Sequence, residues 1–316
     1  MATELFVMYH SCYYLDYIHR LGTRYMEKIH QEHHTMVNIQ ISGSYKESKK
    51  LKNIMKNRFQ NIECWDSTRV KLKNQESNYI HANYVDGFEQ LRKFIVTQEP
   101  MENTLEDYWN MIWQTGTRII VTLNGAEVPV VPSVSDCSKL KGFIVTVTKI
   151  VLQNDYVEIV MILYNINTKQ SRIVHWFKYL SWPKEGVTDI LTLINFMIVV
   201  NDRHQYYIQP GLINPPGPII VYSNTGTGRA PTFCAVDICM FQLVNSAVVS
   251  IPSIVLGIRQ QRRLSFESLN HYVFINNLIV YFLTTIPTNS KLYNRLLCHR
   301  LRESGRYLSR PSTLNG

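Results

Sequence analysis

The 316-residue sequence predicts an α/β domain in which a highly twisted mixed sheet is flanked by helices. Three observations carry that expectation: short β-rich runs between about residues 79 and 175, one helical interruption among them, and mostly helix-like sequence from 188 onward. The runs NYIHANYVDGF, KFIVTQ, RIIVTL, GFIVTVTKIVL, YVEIVMILYNI and SRIVHWFKYL follow one another with turn residues between them, as sheet strands do. The interruption TLEDYWNMIWQTG places Leu105, Tyr108, Trp109, Ile112 and Trp113 on one helical face and ends in Gly116. A further apolar run, GPIIVYS, reads as a strand inside the helical second half.

Before the strands, Leu15, Ile18, Leu21, Tyr25 and Ile29 recur at roughly helical spacing, which predicts helices packed on a larger body. His30, His33 and His34 lie here without a matching cysteine or carboxylate set, so no metal site is expected. With 45% apolar and 18% charged residues the chain can bury a large core, and no repeat or low-complexity block divides it. The expected organisation is a helical extension over 1–30, one domain over 31–290, and a basic, disordered tail over 291–316. The formal charge of +9 points to an acidic partner, and Arg300, Arg302, Arg306 and Arg310 place part of it in that tail, where contact with nucleic acid or anionic lipid is the minor expectation.

Cys12, Cys64, Cys137, Cys234, Cys239 and Cys298 lack paired spacing and read as reduced thiols. The N-terminus has no basic stretch ahead of a continuous apolar run, and no segment reaches about 18 uninterrupted apolar residues. A cytoplasmic or nuclear monomer without a cofactor is the expectation.

The segment VYSNTGTGRAPT, residues 221–232, carries the chemistry. A short loop between a strand and a helix N-terminus turns several backbone N–H groups toward one point, and the helix dipole adds positive potential there. Ser223, Asn224, Thr225, Gly226, Thr227 and Gly228 form that cradle, and Arg229 adds a planar fork that matches phosphate or sulfate. Pro231 suits the first helical turn, where its missing N–H costs nothing. The third glycine of a dinucleotide fingerprint is absent, no G-x-x-x-x-G-K-[ST] occurs, and Ser223 lacks the preceding glycine of a nucleophile elbow. An ordinary strand-to-helix turn is the remaining alternative.

The cradle resembles the loop V-H-C-S-x-G-x-G-R-[ST]-G of the protein tyrosine phosphatases, and five further motifs agree in order. KNRFQNIECWDSTRVKL is similar to K-N-R-Y…D…R-V, NYIHANYVDG to D-Y-I-N-A-N-Y-[IV]-x-G, and FIVTQEPMENTLEDYWNMIWQ to [YF]-I-x-T-Q-G-P…T…D-F-W-x-M-[IV]-W. HWFKYLSWPKEGV resembles the mobile loop H-x-x-Y…W-P-D-x-G-V, and IRQQRRLSFESLNHYVFI resembles R-x-Q-R…Q-T…Q-Y. The resemblance spans roughly residues 30–285 and implies a single tyrosine-phosphatase-like domain. Among the family's branches the chain looks most like the phosphatase-like proteins carried by bracoviruses.

The departures decide the expected activity. The family's nucleophilic cysteine falls at Ser223 and its general acid, the aspartate of W-P-D, at Lys184. The family's glutamines fall at Glu267 and His271, and the histidine beside the nucleophile at Tyr222. A thiol ionises near ~8.5 and an alcohol nearer water's ~15.7, so forming the nucleophile costs roughly 10 kcal/mol more. Loss of a positioned acid costs a further ~10² to 10⁴ in rate. Cys234 and Cys239 lie within the following helix and read as core thiols.

Binding is another matter, because backbone N–H groups and Arg229 do not depend on the cysteine. The resemblance assigns the phosphotyrosine pocket to Phe59, Asn61 and Ile62, with Phe59 stacking on a phenyl ring and Asn61 standing where many members hold an aspartate. Glu267 is the opposing element: a carboxylate ~6 Å from a phosphate would repel it by nearly 3 kcal/mol at an effective dielectric of ~20. Glu99 in place of a glycine, and GAEVPVVPSVSDCSKLKG in place of a segment with C-x-x-Y-W-P, reshape the rim. The resemblance therefore implies a catalytically inactive protein that binds phosphotyrosine proteins of a host cell and shields them, with immune signalling the natural target. A phosphate-independent interaction scaffold is the alternative.

Overall fold

The computed structural model describes residues 9–10, 18–19, 22–73, 77–124, 137–183, 185–208 and 216–296. Its strands are β1 (Tyr9–His10), β2 (Arg69–Lys71), β3 (Tyr79–Gly87), β4 (Gln90–Gln98), β5 (Ile119–Thr122), β6 (Cys137–Leu140), β7 (Phe143–Leu152), β8 (Tyr156–Asn165), β9 (Gln170–Tyr179), β10 (Ile219–Ser223) and β11 (Val248–Val249). Its helices are α1 (Tyr25–Asn38), α2 (Leu51–Ile54), α3 (Leu105–Thr115), α4 (Ile190–Tyr206), α5 (Arg229–Ser246), α6 (Ile251–Gln261) and α7 (Leu269–Thr285). Nine strands form one sheet in the order β2-β3-β4-β10-β5-β9-β8-β7-β6, while β1 and β11 pair separately. The central strands β4, β10, β5 and β9 run parallel and the flanks antiparallel, so the sheet is mixed as expected.

Period-2 alternation divides the core into two layers. Along β10, Ile219 and Val221 join the layer beneath α4, α5, α6 and α7, whereas Ile220 and Tyr222 join the layer that holds Tyr108, Met111 and Ile112 of α3. A strand covered on both faces needs apolar residues at every position, which is why GPIIVYS reads as a continuous run. Helix α3 follows its predicted bounds, and Gly116 closes it at φ 76, a left-handed conformation that glycine adopts without strain. Helix α5 is buried beyond the single face that Phe233, Val236, Met240 and Val244 suggest: Ala230, Cys234, Asp237 and Cys239 are also covered, because the helix lies between the sheet and its neighbours.

The short strands β2 and β6 and the pair β1–β11 carry no run long enough to read from sequence. Helix α1 spans the boundary expected at residue 30, with Ile29, His33 and Met36 buried. The tail does not begin at 291: Leu296 is buried and the Tyr293 ring stacks on Phe282, so apolar spacing holds this stretch against α7. The remainder of the expected tail, 297–316, lies outside the described residues. No helix among the described residues is long and apolar enough to cross a membrane.

One buried ion pair ties the sheet to its helices. Lys93 of β4 donates to Asp237 of α5 at 2.7 Å, and Asn201 of α4 donates to the other carboxylate oxygen at 2.8 Å. Both charged side chains are buried, so deleting one strands the other. Lys93→Ala is expected to lower the unfolding free energy by about 3–5 kcal/mol, while Lys93→Met with Asp237→Leu costs much less. Denaturant midpoints check this, and a single-variant loss below about 1 kcal/mol would contradict the account.

Candidate functional site

Ser223 ends β10, in register with Gln98 of β4, and is 4% exposed. The chain then turns through Asn224–Gly228 into α5, so the cradle sits at the carboxyl ends of the central parallel strands, where open α/β sheets place ligands. Gly226 has φ 68, and a Cβ there would stand 2.4 Å from the Thr97 carbonyl oxygen; only glycine lets the loop lie this close to β4. Gly228 packs against His271, whose Cε1 would be 2.8 Å from an added Cβ.

Arg262, fully buried, holds the loop from behind. Its Nε donates to the Gly226 carbonyl at 3.1 Å, Nη2 to the Thr225 carbonyl at 3.2 Å and to His81 Nδ1 at 3.1 Å, and Nη1 to Asn83 Oδ1 at 3.0 Å. His81 passes this support on, because its Nε2 donates to the Ile62 carbonyl at 2.8 Å. One ring nitrogen thus accepts from a guanidinium while the other donates to a carbonyl, which requires neutral imidazole. Burial and the Arg262 charge lower its pKa to about 3, in agreement. The turn Phe59–Ile62, closed by the Ile62 N–H to the Phe59 carbonyl at 3.2 Å, is thereby joined to the cradle through two side chains. Gln98 adds a second tie, accepting from the Arg58 N–H and donating to the Lys56 carbonyl, both at 2.9 Å. Phe59 and Ile62 are half-buried and Asn61 is exposed.

Arg229 stands at the mouth. Its Nη1 donates to the Leu123 carbonyl at 3.0 Å and its Nη2 to the Pro183 carbonyl at 2.7 Å, joining the cradle to the WPKEG loop. Trp182 of that loop is buried near His271 and Phe274 and donates to the Gly186 carbonyl at 3.4 Å. Lys184 lies outside the described residues, as does the rim segment 125–136. Inside the loop, Thr225 Oγ1 accepts the Thr227 N–H at 3.2 Å and bonds the Thr227 hydroxyl at 2.9 Å. One backbone donor of the cradle therefore already has an acceptor from within.

Glu267 has a partner of opposite charge. Its carboxylate accepts from Arg259 Nη1 at 2.8 Å, and Arg259 also reaches the Ser265 and Val37 carbonyls, so a fixed guanidinium offsets the charge. The preceding Phe266 holds φ 62, rare outside glycine; its N–H donates to the Thr227 carbonyl at 3.0 Å and its carbonyl accepts from His33 Nε2 at 2.8 Å. His33, part of the histidine cluster, thus positions the loop beside the cradle. No cluster of possible metal ligands occurs among the described residues. Tyr222 points to the opposite face of the sheet, packed edge-on against Tyr108, and burial raises its pKa. Cys64, Cys234 and Cys239 are fully buried; burial lifts the Cys64 thiol to about 11 and the other two higher still, so none is a ready nucleophile.

Sequence reasoning missed His81 and Arg262, the anchoring of Phe266 by His33, and the Thr225–Thr227 hydroxyl bond inside the cradle it had assigned. The signal for two of them was present: His81 departs from asparagine in the D-Y-I-N-A-N-Y motif, and Arg262 is the second arginine of R-x-Q-R.

A pH prediction follows from the two neutral histidines. Burial and Arg229 lower His271 to about 4, as burial and Arg262 lower His81 to about 3. The unfolded chain takes up protons near pH ~6.5 at these positions, so their contribution is complete above that value and declines as pH falls toward 4, by about 1.4 kcal/mol per pH unit for each histidine. Chemical denaturation at pH 7 and pH 5 is expected to show a loss of a few kcal/mol, reduced in His271→Gln. A pH-independent midpoint would contradict the assignment.

The protein-tyrosine phosphatase family profile matches residues 53–281. The chain is 33% identical over 282 residues to "Probable tyrosine phosphatase protein N1" of Microplitis demolitor bracovirus, covering 83% of this chain and 87% of that protein. It is 31% identical to "Tyrosine phosphatase H2" of the same virus, covering 78% and 81% of the two chains. It is 32% identical to rat "Tyrosine-protein phosphatase non-receptor type 9", covering 85% of this chain but 48% of that one. The cradle, its supporting arginine and these matches agree: the chain belongs to the protein-tyrosine phosphatase family.

Proposed function

We propose that this chain is a pseudophosphatase that binds phosphotyrosine proteins without hydrolysing them and shields them from active phosphatases. The observation that carries the reading is Ser223, a buried alcohol on the floor of a cradle whose arginine and glycine turn are kept. A hydroxyl at this position lacks the acidity to become the nucleophile, yet it introduces no thiolate to repel a phosphate dianion. Lys184 has no proton-donating role at neutral pH comparable to a carboxylic acid, and Glu267 replaces a neutral amide. Similarity to bracovirus tyrosine phosphatases supports host-cell signalling proteins, including those of immune cells, as the partners, and the cytoplasm or nucleus as the place of action.

A second reading, a scaffold indifferent to phosphate, is favoured by two contacts. Thr225 occupies the Thr227 N–H, and Arg229 bonds two main-chain carbonyls. Under the binding reading the Thr225 contact and the Arg229 bond to the Leu123 carbonyl are exchanged for phosphate oxygens, and the Arg229 link to Pro183 keeps the loop near the bound group.

Titration calorimetry with phosphotyrosine peptides separates the two. Micromolar-range binding, lost in Arg229→Ala, is expected; Thr225→Ala, which frees a backbone donor, should tighten it several-fold, the equivalent of about 1 kcal/mol for one hydrogen bond. No heat with any peptide would favour the scaffold. Aryl phosphate turnover is expected to stay at background, and Ser223→Cys alone should restore little because the acid is still missing.

A further inference from the structure

The sheet carries a second concave site along its β2 edge. A cleft of about 630 Å³ opens beside edge strand β2, and Arg69, Lys71, Lys73, Asp86, Leu91 and Arg92 are among its lining residues. The carboxyl end of β4 meets Ser223 while Leu91 and Arg92 lie at its amino end, about 20 Å away at ~3.3 Å per residue, and Lys71 of β2 pairs with Tyr79 at the start of β3.

Among the described lining residues four cations face one carboxylate, and that carboxylate is already engaged. Asp86 accepts the Arg92 backbone N–H at 2.6 Å on one oxygen and the Gln261 amide at 2.5 Å on the other. Lys71, Lys73 and Arg92 are exposed, and none of the three forms an ion pair among the described residues. Arg92 is held at φ 54 by its bond to Asp86, with its guanidinium 4.8 Å from the Tyr84 ring centroid. Arg69 is 7% exposed and spends its terminal nitrogens on Asn78, while its Nε N–H is buried without a hydrogen-bond partner. Such an orphaned donor in a cationic wall suits an anionic oxygen.

Two further features distinguish the kind of anion. Leu91 is 82% exposed beside the cations, an apolar side chain offered outward at the start of β4. The strand edge is closed to an extended peptide at positions 71 and 73, because Gln114 donates to the Lys71 carbonyl and accepts from the Lys73 N–H, both at 2.9 Å. Cations around a cleft with one protruding leucine match a surface that carries phosphate outside and hydrocarbon beneath.

We propose that this cleft docks the protein on a membrane by binding phosphate-bearing lipid headgroups, with Leu91 entering the interfacial layer. The cleft shares no lining residue with the cradle.

Co-sedimentation of the full chain with phosphatidylcholine vesicles containing a few per cent of a phosphoinositide tests this. Binding is expected, weakening as salt is raised. The double substitution Lys71→Ala and Lys73→Ala is expected to weaken it roughly 25-fold, about fivefold for each cation, Leu91→Ser several-fold, and Arg229→Ala not at all. All four positions are at the surface or outside the core, and unchanged thermal midpoints confirm folding of the variants. Absence of binding at low salt would overturn the proposal. So would binding that survives loss of both lysines, as when the basic C-terminal segment carries it, or affinity confined to soluble inositol phosphates or acidic peptides.

Discussion

The site depends on one buried cation. Arg262 has no exposed surface and no carboxylate partner among the described residues; neutral acceptors from the cradle and from β3 satisfy it instead. Taking a guanidinium out of water is costly, and burial accordingly lowers its pKa. Those four bonds offset the cost only while the loop carbonyls of Thr225 and Gly226 point at it, so the charge specifies the loop conformation. With these carbonyls turned to the core, the loop's N–H groups are left to the opposite side, where an oxyanion would sit. The uncompensated charge behind the loop adds positive potential to that of the α5 N-terminus.

Arg262 also explains why residues far apart in sequence act as one site. His81 must stay neutral to accept from it, and a neutral His81 with a proton on Nε2 holds the Ile62 carbonyl and hence the Phe59 turn. On the other side, His33 fixes Phe266, which fixes Thr227. The loop conformation is therefore kept by interactions that involve none of the degenerate positions. Retention of the scaffold alongside Ser223 in place of the family's cysteine is what the pseudophosphatase reading rests on, whereas an interaction scaffold has no need of Gly226 pressed against Thr97.

Much of this was legible in the sequence. The alternation and lengths of the long strands, the Gly116 stop and the strand-to-helix cradle follow from local patterning, and ordered motifs supplied the family. The short strands β1, β2, β6 and β11 were not legible, since pairing defines them and periodicity does not. Glu267 was read as an intruding charge because a sequence does not show that Arg259, eight residues earlier, folds back onto it. His33 was weighed as a metal ligand and found to be a backbone anchor for Phe266; a long-range contact of that kind leaves no local signature. Thr225 and Thr227 were read as members of the cradle, but the bond between their hydroxyls left no signal in the sequence.

The central claim is binding without turnover, and one phosphorus-31 NMR titration observes both at once. Phosphotyrosine peptide is titrated with the protein and followed for hours. The account predicts that the phosphotyrosine resonance shifts or broadens in proportion to the protein added, recovers on competition with inorganic phosphate or vanadate, and yields no released phosphate above a protein-free control. A growing inorganic phosphate signal would contradict the loss of chemistry, and an unchanged phosphotyrosine resonance would contradict the binding.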